Sequence, residues 1–136
     1  MNLQTLQKAV AMAGRAGHIL VATADAQGLP HLAAAGKMWL DEEGHLAVGA
    51  WFCPGTVGNL RDNRRIAVVV WDPATDTGYQ LLGQVEQILD LAVLDGYAPE
   101  QSPAPPIPQV ERELQIRVDK ILHFSHAPHR DVEESG

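Results

Sequence analysis

The residues whose types and spacing could do chemistry in this 136-residue chain lie between Thr56 and Arg65, in the segment TVGNLRDNRR. A hydroxyl and a glycine come first, three arginines follow, and the segment reads as a short helix over residues 56–63. The first N–H groups of a helix have no partner inside it and form the positive end of its dipole, so they bind anions. The chain has a formal net charge of −7, so a local cluster of arginines stands out against it. The segment therefore predicts a small anionic partner, of which a phosphate-bearing cofactor is the leading candidate.

Each of these residues also has a purely structural interpretation. Thr56 suits the N-cap position of a helix, where a threonine contributes about 1 kcal/mol, and a cap can also contact a phosphate. Arg61, Arg64 and Arg65 could form a solvated face that pairs with Asp62, as exposed charge runs usually do. We expect one of the three arginines, and not all of them, to contact an anion.

Two other patterns are weaker candidates for chemistry. His123, His126 and His129 are spaced by three, but Pro128 interrupts them and no carboxylate or cysteine joins them at zinc-like spacing, so we expect no metal site. Cys53 as a nucleophile would need a positioned base, and the sequence does not show whether a histidine approaches it. We therefore name no catalytic side chain.

Composition limits the function classes. One domain covering residues 1–136 is expected at this length. The single cysteine excludes an internal disulfide and fits a reducing compartment. The acidic balance argues against nucleic-acid binding, and no apolar run approaches the roughly 20 residues that span a bilayer. Polar residues interrupt the apolar pattern near the start of the chain, unlike a signal peptide. We expect a cytoplasmic protein with neither a nucleic-acid partner nor a membrane partner.

Short strands joined by tight turns dominate the middle of the chain. Residues 2–14 repeat apolar positions at helical spacing, and Gly14 and Gly17 can end that helix. The predicted strands are 18–24, 30–40, 45–51, 65–71 (buried on both faces), 79–89 and 113–124. Residues 90–97 favour a helical turn, 98–109 a proline-rich extended connection, and the tail from Ser125 a frayed end. Six antiparallel strands with small helices predict a mainly β protein closed into a barrel.

The ordered set of motifs resembles the pyridoxamine 5′-phosphate oxidase-like family of FMN-binding split β-barrels. The motifs are GHILVATAD in the first strand, GLPH opening the second, GTVGNLRDNRR after the third, IAVVVWD next and VDKILHF at the end. The resemblance covers about residues 5–124, and its specificity lies in the order of the motifs.

The resemblance implies a six-stranded antiparallel split barrel that forms a homodimer, with FMN in a groove between the two copies. The residues expected at the phosphate are Gly55, Thr56, Val57 and Asn59. The residues expected along the isoalloxazine ring and ribityl chain are Ala34, Ala35, Gly36 and Lys37. The residues expected to form the opposite wall are Ala50, Trp51 and Phe52.

The chain departs from the family pattern in the charges near the phosphate. The family often has a lysine immediately before or at the threonine position, where this chain has Gly55 and Thr56. It also often has an arginine or a bulky polar residue in the second strand, where Ala33 to Ala35 stand. Lys37 or Arg61 would have to supply that charge, although Lys37 could equally extend into solvent at the barrel edge.

The leading hypothesis is an FMN-binding oxidoreductase whose electron partner is a nicotinamide nucleotide or another small reducible compound. Pyridoxamine phosphate oxidation itself is not expected, because the arginine and histidine pattern that the vitamin B6 oxidase has near its C-terminus is missing. Two alternatives stay open on the same barrel. One is a non-enzymatic protein that binds flavin or haem or relays electrons, and the other is a reductase that uses the deazaflavin F420.

Overall fold

The computed structural model describes residues 3–51, 54–94 and 109–134, which form two helices and eight strands. The helices are α1 (Leu3–Ala16) and α2 (Pro54–Asp62). The strands are β1 (Ile19–Ala24), β2 (Pro30–Ala35), β3 (Lys37–Leu40), β4 (Leu46–Trp51), β5 (Arg65–Asp72), β6 (Thr77–Leu94), β7 (Gln109–Ser125) and β8 (Arg130–Glu133). Neither of these helices is long and apolar enough to cross a membrane.

All eight strands belong to one antiparallel sheet that curls until its two edges meet. The strand order is β2-β1-β5-β6-β7-β4-β3, with β8 paired to β7. The strands at the two ends of this order, β2 and β3, are consecutive in the chain and are separated only by Gly36. The sheet therefore closes into a barrel that is split at Gly36, which confirms the predicted fold class.

The strand predicted over residues 30–40 is two strands in the structure. Before Gly36 the chain pairs with β1, with Ala35 opposite Ile19, and after it the chain pairs with β4, with Lys37 opposite Gly49. The chain changes its neighbour at Gly36, which a sequence pattern cannot show. This division and the addition of β8 account for the difference between six predicted strands and eight observed ones.

Two hairpins with the same turn chemistry build the edges of the sheet. In the β1–β2 turn, Asp25 Oδ1 accepts hydrogen bonds of 2.9 Å from the N–H groups of Gln27 and Leu29. In the β3–β4 turn, Asp41 Oδ1 accepts the equivalent bonds from Glu43 and His45, also at 2.9 Å. A glycine with positive φ completes each turn, at Gly28 and Gly44. These turns confirm the predicted hairpins.

The core lies between the concave face of the sheet and helix α1. Leu6, Ala9, Met12 and Ala13 of α1 are buried in it, and α1 packs against β3 and β5. Helix α1 runs two residues further than predicted and ends at Gly17, whose φ of 78° and N–H bond to the Ala13 carbonyl form a helix C-cap.

Strand β5 has only one buried face, so the prediction that both its faces are buried is wrong. Ile66, Val68 and Val70 are buried, whereas Val69 is half-buried and Trp71 is 38% exposed. The inward residues meet the core, and the outward ones lie on the convex face of the sheet. The apolar run from Ile66 to Trp71 therefore consists of residues that alternate between a buried inner face and an apolar outer face.

Two more predictions fail after residue 89. The helical turn predicted to begin at Asp90 is wrong for residues 90–94. Strand β6 continues to Leu94, which pairs with Gln109 of β7. The frayed tail is also wrong, because β8 pairs with β7, with Val132 opposite His123. The remainder of the expected turn and the proline-rich connection lie outside the described residues, apart from Gln109, which begins β7.

Asp76 and Glu134 hold the C-terminal segment against the barrel. Asp76 accepts hydrogen bonds from the N–H groups of His126 and Ala127 and from the Trp71 indole, at 2.7, 2.8 and 3.1 Å. The two backbone bonds are the main reason that the pKa of the Asp76 carboxyl lies below its ordinary value. At the other end of the segment, Glu134 Oε1 accepts a bond from the Thr5 hydroxyl and lies 3.2 Å from His123 Nε2.

Gly83 allows β6 and β7 to approach closely at a bulge. An added Cβ at residue 83 would lie 2.0 Å from the Arg117 carbonyl oxygen and 3.0 Å from Val118 Cα. Backbone atoms cannot move aside as a flexible side chain can, so we expect Gly83→Ala to lower the free energy of unfolding by about 1–3 kcal/mol. Urea denaturation followed by circular dichroism measures this change.

Gly14→Ala is the matched control for Gly83→Ala. Its added Cβ would meet no atom within 4 Å, and alanine favours a helix over glycine by about 1 kcal/mol. The control should therefore be neutral or stabilising. Equal effects of the two substitutions would contradict the close approach of β6 and β7.

Glu134 gives the stability of the protein a specific pH dependence. Its hydrogen bond from Thr5 and its contact with His123 hold the pKa of Glu134 below its ordinary value of 4.5. The unfolded chain binds the proton more readily, so this stabilisation is present above that ordinary pKa and is lost as the pH falls through the folded-state pKa. We expect Glu134→Gln to lower the denaturation midpoint at pH 7 and to lower it less at pH 3.

Glu133→Gln controls for the loss of a carboxylate, because Glu133 is the exposed last residue of β8 and directly precedes Glu134. We expect the control to have little effect on the midpoint at either pH. A difference between Glu134→Gln and the native protein that stays constant from pH 7 to pH 3 would contradict the role of Glu134.

Candidate functional site

The first turn of α2 lies directly after β4 and next to β1 and β2. Helix α2 begins at Pro54, a residue that suits the first helical position because it has no N–H to leave unbonded. Thr56 is therefore the third residue of the helix, and its interpretation as an N-cap residue is wrong. The residue before Pro54 lies outside the described residues.

The side chains of this first turn face in different directions. Gly55 is exposed, whereas Thr56 and Val57 are buried, Thr56 completely. Asn59, in the next turn, donates a hydrogen bond of 3.1 Å from Nδ2 to the Thr23 hydroxyl. A ligand on the surface of this turn would therefore meet the backbone at Gly55 before it met the Thr56 hydroxyl.

His31 lies against this turn, which the sequence did not predict. Its Nδ1 is 3.5 Å from Thr56 Oγ1, and its Nε2 is 3.5 Å from the position that a Cβ on Gly55 would occupy. The signal that could have found it is the alternation of β2. His31, Ala33 and Ala35 share the face opposite that of Leu32 and Ala34, which are exposed.

The predicted ring-lining residues do not share one face of the sheet. Ala34 is exposed on the outer face, while Ala35 is buried on the inner one. Gly36 and Lys37 line a separate cavity of about 340 Å³ together with Gly14 and Gly17 at the end of α1. The contacts of Ala34 and Ala35 with a ring stay a prediction, with the two side chains on opposite faces of β2.

The predicted opposite wall is described only in part. Ala50 and Trp51 form the end of β4, where they pair with Arg112 and Glu111 of β7. Phe52, like Cys53, lies outside the described residues. The backbone thus places Ala50 and Trp51 immediately before α2, as expected, and their lining role stays a prediction.

The three arginines do not converge on one point. Arg64 donates from its guanidinium to the carbonyl oxygens of Val85 and Glu86, at 3.1 and 3.3 Å, and so connects the end of α2 to β6. Arg61 lies in the last turn of α2, at the opposite end of the helix from Gly55. Arg65 begins β5 and lines a second cavity.

This second cavity is a groove of about 640 Å³ on the outer face of the sheet. Its apolar lining includes Ala22, Ala24, Ala67 and Leu82, and its charged lining comprises Arg65, Asp119 and Lys120. Of the predicted cofactor residues whose side chains the structure describes, none is among its lining residues.

The histidines near the C-terminus contact one another and neighbouring side chains. The rings of His126 and His129 meet edge to face with centroids 5.2 Å apart, and His123 contacts both Glu134 and the ring of Tyr79. Within the described residues, no group of three or more histidine, cysteine or acidic side chains is arranged to hold a metal ion.

Several solved structures share this fold. A pyridoxamine 5′-phosphate oxidase-related, FMN-binding protein from Nostoc punctiforme has a TM-score of 0.64 and 9% identity, with 96% of this chain and 87% of that one covered. A protein from Clostridium acetobutylicum related to general stress protein 26 has a TM-score of 0.63 and 14% identity, with 99% and 96% covered. A structure named F420 reductase has a TM-score of 0.55 and 19% identity, with 76% and 87% covered.

The family follows from the sequence match rather than from these distant structures. No curated protein sequence shows a significant match to this chain. The family model described as pyridoxamine 5′-phosphate oxidase matches residues 6–124, which span the barrel from α1 to the end of β7. The chain therefore belongs to the pyridoxamine 5′-phosphate oxidase family.

Proposed function

We propose that this protein is an FMN-binding oxidoreductase that works as a homodimer, with the cofactor between the two copies. The observation that carries the proposal is the first turn of α2, which presents the exposed Gly55 at the positive end of the helix dipole, beside β2. Support also comes from the family match and from a structural neighbour named as an FMN-binding protein.

The residues at this turn fit the anionic end of a flavin nucleotide. Gly55 leaves the backbone open to a phosphate, and the helix dipole favours negative charge there. Val57 and Asn59 fix the turn, the first by its burial and the second by its bond to Thr23. Thr56 supports the site from beneath, since its side chain is completely buried.

The remainder of the cofactor would extend from this turn along the strands on either side of it. Ala34, Ala35, Gly36 and Lys37 would contact it from the segment of β2 and β3, and Ala50 and Trp51 from the end of β4. The resemblance adds Phe52 to this second set. Bound FMN would supply hydride transfer at its N5 atom, and the chain would supply orientation and local charge. The electron partner is a nicotinamide nucleotide or another small reducible compound.

The exposed apolar face of the sheet supports the homodimer. Leu20 and Leu32 are 43% and 66% exposed on neighbouring strands, and Trp71 extends the same face across β5. Large exposed apolar patches on a soluble protein mark interaction sites. A second copy that covers this face would also explain why the groove beside Ala67 and Leu82 is open in a single copy.

A deazaflavin reductase is the second candidate function. The structural neighbour named F420 reductase has the same barrel, and the site lacks the lysine that the family often has at Gly55 or Thr56. F420 also carries phosphate, so both candidates use the same turn of α2.

Titration of the purified protein with FMN tests the cofactor. We expect saturable quenching of flavin fluorescence at micromolar or lower concentration, weakened about tenfold or more in the Lys37→Ala, Thr56→Ala double variant, or about 1.4 kcal/mol. Lys8→Ala, an exposed lysine of α1, is the control and should bind as the native protein does.

The outcomes of the FMN titration separate the candidates. Bleaching of the flavin absorbance by NADH or NADPH under anaerobic conditions would support the oxidoreductase, whereas bound flavin that stays oxidised would favour a non-enzymatic carrier. Uptake of F420 without uptake of FMN would support the second candidate. Uptake of neither would overturn the proposed function.

Disruption of the apolar face tests the homodimer. We expect the native protein to sediment at twice the 14.7 kDa mass of one chain, and Leu32→Asp to sediment as a single chain. The reason is that a carboxylate inside an apolar interface loses its hydration without gaining a partner. Leu3→Asp replaces an exposed leucine of α1 and should leave the dimer intact. A native protein that sediments as one chain at micromolar concentration would contradict the homodimer.

A further inference from the structure

We propose that His31 is the residue that binds the phosphate of the cofactor with positive charge, in place of the lysine or arginine that the sequence led us to expect. The inference rests on the proposed function, because it assigns a residue of this same site. It starts from the contact between His31 and the first turn of α2.

The His31 ring lies between the buried Thr56 and the exposed Gly55. Nδ1 lies 3.5 Å from the Thr56 hydroxyl oxygen, so that edge of the ring faces the protein interior. Nε2 is the ring atom that would be nearest to a Cβ on Gly55, at 3.5 Å, so that edge lies over the exposed glycine. An anion bound to the backbone at Gly55 would therefore lie within reach of Nε2.

The imidazole of His31 can donate hydrogen bonds from both of its ring nitrogens when it is protonated. A protonated imidazole has two N–H donors, so Nδ1 can face Thr56 while Nε2 donates to an anion. A charge-assisted hydrogen bond of this kind is about twice as strong as a neutral one. The half-buried ring reaches from the buried Thr56 to the exposed Gly55, so it can contact the protein on one edge and an anion on the other.

The other candidate cations lie elsewhere in the fold. Arg64 is bonded to backbone carbonyls of β6, and Arg61 lies at the far end of α2. Lys37 lines the cavity beside the end of α1. His31, by contrast, contacts the Gly55–Thr56 turn through both of its ring nitrogens.

A comparison of FMN with riboflavin tests the inference, because riboflavin lacks only the phosphate. We expect His31→Ala to weaken FMN binding about tenfold and to change riboflavin binding less than about twofold, as measured by quenching of flavin fluorescence. His18→Ala, an exposed histidine after α1, is the control and should change neither affinity. If His31→Ala fails to fold by circular dichroism, His31→Gln keeps a polar side chain of similar size and takes its place.

A rescue variant separates a contact with phosphate from a structural role. In His31→Ala, Gly55→Lys, the new ammonium occupies the space that the His31 ring has left, because Gly55 is exposed beside it. We expect this double variant to regain most of the FMN affinity that His31→Ala loses. If His31→Ala also weakens riboflavin binding, the double variant should not restore it.

The outcomes distinguish failure of this inference from failure of the proposed function. A native protein that binds neither FMN nor riboflavin overturns the proposed function and the inference with it. A native protein that binds FMN, with His31→Ala weakening FMN and riboflavin equally or weakening neither, overturns the inference and leaves the proposed function standing.

Discussion

The structure depends on one constraint: a single stretch of chain forms the strands at both ends of the strand order. Residues 30–40 pair with β1 in their first half and with β4 in their second half, and the sheet can do this only by curling into a barrel. Gly36 stands where the chain changes neighbours. Closure of the barrel joins the two end strands of the order, β2 and β3, through Gly36. It also brings the end of β4, the start of α2 and strand β2 into one neighbourhood, which is where the proposed cofactor site lies.

The inner and outer faces of this barrel differ in burial and composition. The inner face is filled by large apolar residues such as Leu46, Leu81 and Ile116, and it gives the fold its stability. The outer face of β1, β2 and β5 carries alanine, valine and leucine where a solvated sheet would carry polar residues. Covering this apolar face would remove more apolar surface from water. The proposed homodimer would therefore add to the stability of the barrel through the same three strands.

Local features of the fold could be predicted from the sequence, and non-local ones could not. The Asp25 and Asp41 turns follow from residues that bond to their own neighbours, and α1 follows from apolar spacing and Gly17. The continuation of β6 through Asp90 depends on its partner β7, far along the chain. His31 and Thr56 are 25 residues apart, and no residue pattern in either segment encodes their contact. The resemblance proposed the elements of the cofactor site. The burial of Thr56 and the opposed faces of Ala34 and Ala35 depend on strand register and packing, which the sequence does not show.

Strand β7 pairs with β6 along one edge and divides its other edge between β4 and β8, with Glu111 to Ile116 facing β4 and Leu122 to Ser125 facing β8. This strand lies late in the chain, so the ribosome has already made β1 to β6 before the strand that joins β4 to β6 exists. Until then β4 has only β3 beside it, and β6 has only β5. The barrel therefore cannot close during most of its own synthesis. Its folding must wait for contacts that are distant in sequence, as is typical of slowly folding β proteins.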